Sequence, residues 1–504
     1  MKREKKSITI ILFLIFNICM FAACNKNDVN AGTNAPVANV APTVTEAAVN
    51  EAKVVEPTET SSNEPLELTL GIWPDVSNPD KIALHEGYVA EFTTTHPDVT
   101  VVPAFYSYTA DTFIPLAKSG TLPVIFETYY TDTQKIIEGG SVADITDILK
   151  ARGWLDVINP SIKELMSKDG RTYGVPNDGY ALGLMVNVAL FKKAGVVDAD
   201  GLPIYPKTWA ELAETGKKIK DATGAAGLCL LSTDIVAGWH FTNIAWAFGA
   251  TLTTENTDGS IICNLDSAEA IAAMEYVKSL KWKYDILTAD PSVEDFNTGL
   301  TQLGTGACAM YIGASDVIAQ PTSTSGLPVE DFGIAPLPAG PSGEQYSLFG
   351  GTHYLFAKEA TVAQINAALD YIAIMGKGPV LDKDSYEVDC QNSVESGIPV
   401  IYRFPNWTDP SIIIQETELI DKYSNVDMRL YQDYFDIIKQ EGNLRMEGTG
   451  AMYDELATVI QTVITDENAD VAALMKKADK NYQLYLDNSL NSHQKLATAL
   501  RTAD

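Results

Sequence analysis

Hydrophobic and polar side chains alternate in a pattern that predicts strands from residue 66 onward. Residues 66–70, LELTL, alternate with a period of two, which is typical of a strand with one buried face. Short apolar runs at 99–102 and 124–126 predict a second and a third strand. The body of the protein is therefore expected to begin with sheet-forming segments.

Helix starts are predicted where a residue able to cap a helix is followed three positions later by Glu or Gln. The pairs are Thr208 with Glu211, Asp266 with Glu269, and Thr361 with Gln364. Apolar residues follow each pair at helical spacing, and the chain after Ser411 has an almost purely helical pattern. Strands and helices together predict an α/β body with a helical C-terminal region.

The first two dozen residues have the pattern of an export signal. Basic residues precede a nearly continuous apolar run, 8–23, and Ala22-Ala23 stand before Cys24. The run is shorter than a membrane-spanning helix requires, and a cluster of charged residues flanks it only on its N-terminal side. This ending resembles the lipobox of bacterial lipoproteins, which implies a lipid on Cys24, although Phe21 replaces the usual aliphatic residue. Ordinary signal cleavage, with Cys24 as a bystander, is the alternative.

The next segment has the composition of a tether. Residues 25–65 contain no Trp, Tyr, Phe, Leu, Ile or Met, so they cannot bury enough apolar surface to offset the entropy of ordering. A flexible chain of this length has a typical reach of ~35 Å. We therefore expect a signal peptide at 1–23 and a lipid-anchored disordered tether at 24–65.

Composition narrows the classes of function for the remaining chain. Its length exceeds that at which single hydrophobic cores stop growing, so two or more lobes are expected. The net charge of −30 argues against a nucleic-acid partner. Four cysteines have mostly apolar neighbours and no zinc-binding spacing. We expect buried thiols at Cys229, Cys263 and Cys308 at least, with a disulfide as the alternative, and the fourth of these cysteines is Cys390.

Local catalytic motifs are absent from the sequence. It contains no Gly-x-x-x-x-Gly-Lys loop, no His-Glu-x-x-His and no Gly-x-Ser-x-Gly, and its five histidines do not stand at metal-ligand spacings. We expect no catalytic residue, no cofactor and no metal. A glycosidase carboxylate pair needs no local motif, so an enzyme stays open as an alternative.

Five segments, in order, resemble family 1 extracellular solute-binding proteins of ABC importers, a group that includes maltose-binding-protein-like chains. Val186 stands where the family usually has tyrosine. The segments are 169–176 (DGRTYGVP), 185–195 (MVNVALFKKAG), 206–212 (PKTWAEL), 306–313 (GACAMYIG) and 332–351, which contains FGIAPLP and FGG.

The resemblance implies a periplasmic-binding-protein-like fold with two α/β lobes joined by three hinge crossings. Crossings are expected near 180–184, 350–353 and 397–403. The implied lobes are 66–181 plus 353–398, and 182–352 plus 399–504. Independently of the family, Asp169-Gly170 predicts a tight turn, and residues 173–176 predict a strand ended by Pro176.

Sugars offer hydroxyl groups to carboxylates and C–H faces to aromatic rings, so acidic and aromatic residues at the implied cleft are the candidate ligands. Trp73 follows the first strand, and a polar-aromatic run follows the third. The alternative for Trp73 is a core or turn position, and the alternative for the tyrosines after the third strand is an ordinary surface position. For the residues after Pro176, the alternative is a simple hinge role. The candidates of the first lobe and first crossing are Trp73, Glu127, Tyr129, Tyr130, Asp178 and Tyr180.

In the second lobe and at the second crossing, the resemblance implies five more ligand-binding candidates. Asp316 stands where the family commonly has a stacking tryptophan, so hydrogen bonding is expected there instead. Gly350-Gly351 allows unusual backbone angles or close approach of a ligand. Core packing or a turn is the alternative for the aromatic residues and the histidine. The candidates are Trp239, Asp316, Gly351, His353 and Tyr453.

The implied function is capture of a carbohydrate, specifically an oligosaccharide, by hinge closure and its delivery to an ABC transporter permease. We expect a monomer on the extracytoplasmic face of the bacterial membrane, attached through lipid on Cys24. Two alternatives are a membrane-tethered, carbohydrate-degrading enzyme and a binding protein of this fold for a non-sugar solute. Glu127, Tyr129 and Tyr130 also leave a metal-ion ligand open.

Overall fold

The strands come from all parts of the body. The structure, a computed structural model, describes residues 66–256, 260–440 and 442–501. The strands in these ranges are β1 (Leu66–Leu70), β2 (Val99–Pro103), β3 (Ile125–Tyr129), β4 (Ser167–Lys168), β5 (Arg171–Thr172), β6 (Gly174–Asn187), β7 (Thr253–Glu255), β8 (Ile261–Cys263), β9 (Met310–Ala314), β10 (Phe332–Ala335), β11 (Ser347–Phe356) and β12 (Leu444–Arg445).

Helices alternate with the strands at first and then dominate the C-terminal third. They are α1 (Pro79–Thr95), α2 (Ala110–Ser119), α3 (Tyr130–Glu138), α4 (Thr146–Ala151), α5 (Pro160–Leu165), α6 (Val188–Lys193), α7 (Trp209–Thr223), α8 (Asp234–Ala247), α9 (Ala268–Trp282), α10 (Phe296–Thr305), α11 (Val362–Ile374), α12 (Lys383–Glu395), α13 (Pro410–Tyr423), α14 (Gln432–Ile438), α15 (Gly450–Thr465) and α16 (Val471–Arg501). The predicted helical C-terminal region is confirmed.

One mixed sheet carries eight of the strands. Its order is β10-β6-β11-β3-β1-β2, with β12 on β11 and β9 on β6. The strands β1, β2 and β3 are parallel, and β11 runs antiparallel to both β3 and β6. The three strands predicted from residue 66 onward are confirmed.

The 14-residue strand β6 joins two groups of strands. Its first half, 174–181, pairs with β11, and its second half, 182–187, pairs with β9 and β10. We call the part around β1, β2 and β3 the first lobe, and the part around β9 and β10 the second lobe. The fold is therefore the α/β, two-lobed arrangement that was predicted.

The second lobe is built on a close crossing of α8 and α15. A Cβ atom added at Gly238 would lie 2.2 Å from the carbonyl oxygen of Tyr453, so only glycine permits this approach. His240, on α8, places its ring 5.6 Å from that of Tyr311 on β9. These contacts fix the start of α8 against the strands of the second lobe.

Contacts after α11 favour a third crossing later than the predicted 397–403. The backbone nitrogen of Thr408 donates to the carbonyl of Val157 at 2.7 Å, and that of Asn159 donates to the carbonyl of Asn406 at 3.0 Å. Helix α13 then packs on α12, whereas α14 contacts β10. We therefore propose that the chain passes between the lobes at 424–427, and the lobe boundaries remain a proposal.

Two local predictions at helix starts are confirmed and one is wrong. Thr361 and Gln364 form a reciprocal capping box. Thr208 caps α7, although the Glu211 carboxylate accepts from the backbone nitrogen of Lys207 instead of that of Thr208. Helix α9 is capped by Ser267, one residue after the expected Asp266, because the hydroxyl accepts from the backbone nitrogen at position 270.

The predicted turn at Asp169-Gly170 is confirmed, but the strand end at Pro176 is wrong. Asp169 and Gly170 both have positive φ, 51° and 74°, between β4 and β5, as a two-residue hairpin with a primed turn requires. Strand β6 continues through Pro176, which pairs with His353 where the register shifts. A bulge accommodates proline because its missing N–H is not needed there.

All four described cysteines are buried free thiols, as expected for Cys229, Cys263 and Cys308. Among the described residues, no helix combines the length and apolar character needed to cross a membrane. The predicted signal peptide, lipidated Cys24 and tether lie outside the described residues.

Candidate functional site

The candidate site lies where β6 and β11 pass from one lobe to the other. Residues 178–181 of β6 pair with residues 349–352 of β11. The Asp178 Oδ1 atom accepts hydrogen bonds from the backbone nitrogen and the hydroxyl of Thr352, both at 2.9 Å. One carboxylate oxygen therefore fastens the two strands together, and the half-buried side chain keeps part of its surface open to water.

Asn177 ties further segments to this point. Its Nδ2 donates to the Thr352 hydroxyl at 2.9 Å, and its Oδ1 accepts from the Tyr354 hydroxyl at 2.7 Å. Its backbone carbonyl accepts from Lys377 Nζ at 3.2 Å and from Asn406 Nδ2 at 3.3 Å. The hydrogen-bonding groups of Asn177 are thus largely used inside the protein, as buried polar groups require.

Gly351 and Tyr130 are packed against the same strand. Gly351 has φ 152°, and a Cβ atom added there would lie 2.2 Å from the Asp178 carbonyl oxygen and 2.8 Å from the Tyr130 ring. The Tyr130 hydroxyl donates to that carbonyl at 2.7 Å, and the residue is 1 % exposed. Tyr130 is therefore enclosed by protein, and half-buried Gly351 has protein atoms where a side chain would be.

His353 is also placed in the core. Its ring stacks on Tyr130 with 4.2 Å between centroids, and its Nδ1 lies 2.9 Å from the Thr133 hydroxyl. Burial lowers the pKa of His353 to about 3, so the imidazole is neutral at ordinary pH. Its Nε2 has no hydrogen-bond partner among the described residues.

Tyr453 lies at the helix crossing of the second lobe. The residue is 6 % exposed, and its hydroxyl donates to the Glu447 carbonyl at 2.6 Å. Its backbone is in contact with Gly238 of α8. In this arrangement Tyr453 supports the start of α8 and offers little open surface.

Glu127 and Lys377 add charges to the open side of the hinge. Glu127 lies on β3 opposite Tyr354 and is half-buried. Burial raises the pKa of the Glu127 carboxyl, and repulsion by Asp178 adds to that rise, while Thr352 opposes it. Burial likewise lowers the pKa of Lys377, and the carboxylates of Asp178 and Glu127 oppose this change. Lys377 thus shares its surroundings with two acidic candidates.

Asp316 belongs to the second lobe, two residues after β9, and the Asp178 carboxylate acts on it. Water reaches its side chain, since the residue is exposed, yet the surrounding protein raises the pKa of Asp316 to about 7. Desolvation is the main cause, and the Asp178 carboxylate adds to it. An exposed residue whose carboxyl is nevertheless desolvated by nearby protein fits a position inside an open cleft.

An aromatic pair begins two residues after Asp178 on β6. The ring of Tyr180, on β6, meets that of Trp239, in α8, edge to face with 5.9 Å between centroids. Phe296 lies 6.5 Å from Trp239. Both members of the pair are half-buried, whereas Trp246 further along α8 is 1 % exposed and belongs to the core.

The other first-lobe candidates lie at the ends of parallel strands. Trp73 follows β1, is half-buried and meets His85 edge to face at 5.3 Å. Tyr129 ends β3, is 38 % exposed and lies 6.3 Å from the ring of Tyr108. Neither is placed by a described contact against Asp178 or Asp316.

The structure therefore separates the eleven predicted ligand residues into three sets. The first set keeps open surface and comprises Glu127, Asp178, Tyr180, Trp239 and Asp316. The second set comprises the buried residues Tyr130, His353 and Tyr453 together with half-buried Gly351, which has no room for a side chain. Trp73 and Tyr129 lie at strand ends, and the ligand role of each residue stays a prediction.

Sequence reasoning missed Lys377 and Phe296 as neighbours of the site. Lys377 follows Gly376, whose positive φ of 74° ends α11, so its sequence signal was only that of a helix end. Phe296 begins α10 after the cap Asp295, which is an ordinary helix start. Neither pattern distinguishes a cleft residue from a surface one.

The fold and the lobe junction define a two-lobed solute-binding protein. The chain belongs to the family of bacterial extracellular solute-binding proteins, because the model of that family matches residues 78–373, more than half of the chain.

Relatives and solved structures agree with that assignment. A lactose-binding protein of Rhizobium radiobacter is 28 % identical over 177 residues, which are 33 % of this chain and 39 % of that relative. The chain thus spans about two fifths of this curated relative. The cyclic α-maltosyl-1,6-maltose binding protein of Arthrobacter globiformis has a TM-score of 0.57 at 21 % identity and covers 84 % of this chain and 100 % of its own.

A second similar structure has a different kind of ligand. The UgpB protein of Mycobacterium tuberculosis, solved with glycerophosphocholine, has a TM-score of 0.60 at 18 % identity and covers 84 % of this chain and 99 % of its own. At these identities the structures establish the shared fold alone.

Proposed function

We propose that the protein is a lipid-anchored extracytoplasmic binding protein that captures a carbohydrate, specifically an oligosaccharide, and delivers it to the permease of an ABC importer. The observation that carries this proposal is the edge-to-face contact of Tyr180, on β6, with Trp239, on α8; Tyr180 stands two residues after Asp178, whose carboxylate acts on Asp316 of the second lobe. The names of the similar proteins that bind lactose and cyclic maltosyl-maltose support the same ligand class.

The chemistry of this cleft suits a neutral polyol. Carboxylate oxygens accept hydrogen bonds from sugar hydroxyls, and an aromatic ring packs against the apolar C–H face of a pyranose. Lys377 supplies a donor to the same surroundings. A polar rim around an aromatic surface is therefore available for a ligand whose two faces differ in polarity.

A phosphate-bearing ligand, such as the one bound by the similar mycobacterial protein, fits the charges less well. The Asp178 carboxylate acts electrostatically on both Glu127 and Asp316, and Lys377 is a cation that interacts with Asp178 and Glu127. A phosphodiester placed there would repel the carboxylates over short distances in a partly desolvated site. We therefore propose the sugar and not the phosphodiester.

Capture is proposed to work by hinge closure without catalysis. Asp316 belongs to the second lobe, whereas Glu127 belongs to the first, so a ligand touching both is bound best when the lobes are closed. A ligand shifts the hinge only by its differential affinity for the closed form, which contacts from both lobes provide. The closed form is then the shape that a permease distinguishes from the empty protein.

The test is a thermal-shift and calorimetry panel on the wild-type protein. We expect at least one mono- or oligosaccharide at 100 times its Kd to raise the Tm by about 3 °C or more. Glycerophosphocholine and sn-glycerol 3-phosphate are expected to give no shift. A shift from those phosphates alone would replace the sugar proposal, and new reducing ends after incubation with glycans would favour the enzyme.

The membrane anchor needs a separate experiment. In cells that express the full chain, Cys24→Ala is expected to move the protein from the membrane fraction to the soluble fraction, and the N-terminal peptide of the wild type is expected to carry the mass of lipid. An unmodified Cys24 peptide would leave ordinary secretion as the better account.

A further inference from the structure

Helix α8 is attached to the hinge strand β11 by one buried side chain. The Oδ1 atom of Asn243 accepts a hydrogen bond from the backbone nitrogen of Leu348 at 2.8 Å, and its Nδ2 atom donates to the His240 carbonyl at 3.2 Å. Asn243 is 1 % exposed, and Leu348 is 2 % exposed. Both polar ends of this amide are therefore used inside the protein, as burial requires.

This attachment lies one helical turn away from the aromatic pair. Trp239 precedes Asn243 by four positions, so the two side chains leave α8 on the same face. Leu348 precedes Gly350 by two positions on β11, and Gly350 pairs with Tyr180 of β6. A Cβ atom added at Gly350 would collide with the hydroxyl end of the Tyr180 side chain, so that side chain lies directly on β11.

These contacts form a closed path between α8 and the crossing strands. The Trp239 ring meets the Tyr180 ring with 5.9 Å between centroids, and Tyr180 lies on β11 at Gly350. From Gly350 the strand runs back to Leu348, where Asn243 returns the path to α8. The separation between α8 and the strand that carries Tyr180 is therefore set where Asn243 meets β11.

A second attachment holds the other end of the same helix. The Nε1 atom of Trp246 donates to the Oε2 atom of Glu447 at 2.5 Å. Glu447 follows β12, and β12 pairs with β11 at 347–348. The C-terminal end of α8 therefore keeps an anchor near β11 when Asn243 is replaced, so such a replacement acts mainly on the end of the helix that carries the aromatic pair.

We propose that Asn243 is a positioning residue that holds Trp239 against Tyr180 in the conformation that receives a saccharide ring. This inference rests on the proposed function and deepens it, because it assigns the orientation of the aromatic surface to a buried amide. An aromatic surface that is already in place loses less conformational entropy on binding, which raises affinity.

The first test needs no ligand. The fluorescence of Trp239 is obtained as the difference between a protein and the same protein with Trp239→Phe, both in the wild type and in Asn243→Leu, which offers no acceptor to Leu348. We expect the Trp239 component in Asn243→Leu to be quenched more strongly by acrylamide and to emit at longer wavelength, because the ring becomes more open to water. An unchanged Trp239 component in folded Asn243→Leu would reject the proposal.

The second test measures affinity for lactose and maltotriose by calorimetry. Asn243→Leu is expected to lose about three- to tenfold relative to the wild type, which is the effect of leaving an aromatic side chain to be ordered on binding. In a background that carries Trp239→Ala, the same substitution is expected to have almost no further effect, because residues that act through one another are not additive. Equal losses in the two backgrounds would reject action through Trp239.

Asn243→Asp is the conservative variant, and its outcome depends on pH. The introduced carboxyl group accepts from Leu348, but it donates to the His240 carbonyl only when protonated, and burial raises the pKa of such a group. Affinity relative to the wild type is therefore expected to recover as pH falls from 8 to 5, whereas Asn243→Leu stays weak throughout. The same pH profile in both variants would contradict a role for the amide.

Asn187→Leu is the matched control in the second lobe. Asn187 is 3 % exposed, accepts from the backbone nitrogen of Leu190 at 3.2 Å and donates to the Leu303 carbonyl at 3.1 Å. Its replacement is expected to lower stability and to leave the Trp239 fluorescence and the saccharide affinity unchanged. Changes equal to those of Asn243→Leu would indicate a general loosening of the lobe and reject the proposal. If the wild type binds no saccharide, the proposed function fails, while the fluorescence test still decides whether Asn243 positions Trp239.

Discussion

Two neighbouring regions at the lobe junction use the same kinds of side chain in opposite ways. On the buried face of β11, the rings of Tyr130 and His353 stack on each other. The Tyr130 hydroxyl and the His353 Nδ1 atom form hydrogen bonds within the protein. In front of β6, Asp316 and Trp239 keep surface that water reaches. Proximity to the hinge therefore does not by itself mean that a residue is open to a ligand, since Tyr130 and His353 are enclosed by protein.

The largest expected effect is on stability, and it distinguishes buried Tyr130 from its exposed neighbour Tyr129. Tyr130→Ala removes a buried ring and its hydrogen bond to the Asp178 carbonyl, so we expect a loss of about 3–5 kcal/mol in the free energy of unfolding. Tyr129→Ala, one residue earlier and exposed, is expected to cost about 1 kcal/mol or less. Urea denaturation followed by circular dichroism measures both, and equal losses would contradict the division.

On the open side, Trp239→Ala is expected to weaken saccharide binding by about 2 kcal/mol, or ~30-fold, as loss of a central aromatic contact does. The matched control is Trp282→Ala, because Trp282 is 38 % exposed and lies on α9 of the same lobe. Calorimetry with the tightest saccharide found for the wild type measures both. A similar loss in both variants would indicate a general effect on the lobe and not a contact.

The buried histidine predicts a dependence of stability on acid pH. The folded-state pKa of His353 is lowered to about 3 from 6.5, so the unfolded chain binds a proton between those values and the folded chain does not. Stability therefore falls as pH decreases through that window, by about 1.4 kcal/mol per pH unit for this group. His353→Phe is expected to reduce this slope in denaturation curves measured at pH 4, 5, 6 and 7.

His240 has the same lowered pKa through burial and keeps its own contribution, so the slope should diminish and not vanish. An unchanged slope in His353→Phe would mean that water or a proton reaches this imidazole in the folded protein.

The exposed acid predicts a smaller effect of opposite sign. The folded-state pKa of Asp316 is raised to about 7 from 3.8, so the folded protein binds the proton between those values and the unfolded chain does not. Stability from this group is present at low pH and is lost as pH rises towards 7. Asp316→Asn is expected to remove that decline. Because water reaches the side chain, we expect a modest shift in Tm, and a slope equal to that of wild type would contradict a cleft position.

Local features of the fold were within reach of the sequence. The strand at 66–70 follows from alternation, and the caps at Thr208 and Thr361 follow from side chains that bond their own helix. The turn at Asp169-Gly170 follows from residues that tolerate positive φ. Each of these is decided by neighbours in the chain, which is why a single sequence suffices.

The burial of the site residues was harder to predict from the sequence, because it depends on pairing between strands that are distant in the chain. The burial of His353 depends on the register of β11 against β3 and β6 and on the shift beside Pro176. Lys377 reaches the carboxylates only because its amine bonds the backbone of Asn177, 200 residues away in sequence. No local pattern encodes such contacts. A prediction based on aromatic and acidic residue type therefore selected buried residues together with exposed ones.

The close approach at Gly351 has a consequence for how such a protein can change over generations. The space that a side chain at position 351 would need is filled by the main-chain carbonyl of Asp178. Because this is a main-chain atom, substituting another side chain does not make room for a larger residue in place of Gly351. Residues such as Asp316 and Trp239 carry no comparable restriction. After gene duplication, we expect substitutions at cleft positions such as Asp316 and Trp239 to change the ligand, while the Gly351 contact between β6 and β11 stays the same. The position that constrains the fold and the positions that set the ligand then evolve at different rates.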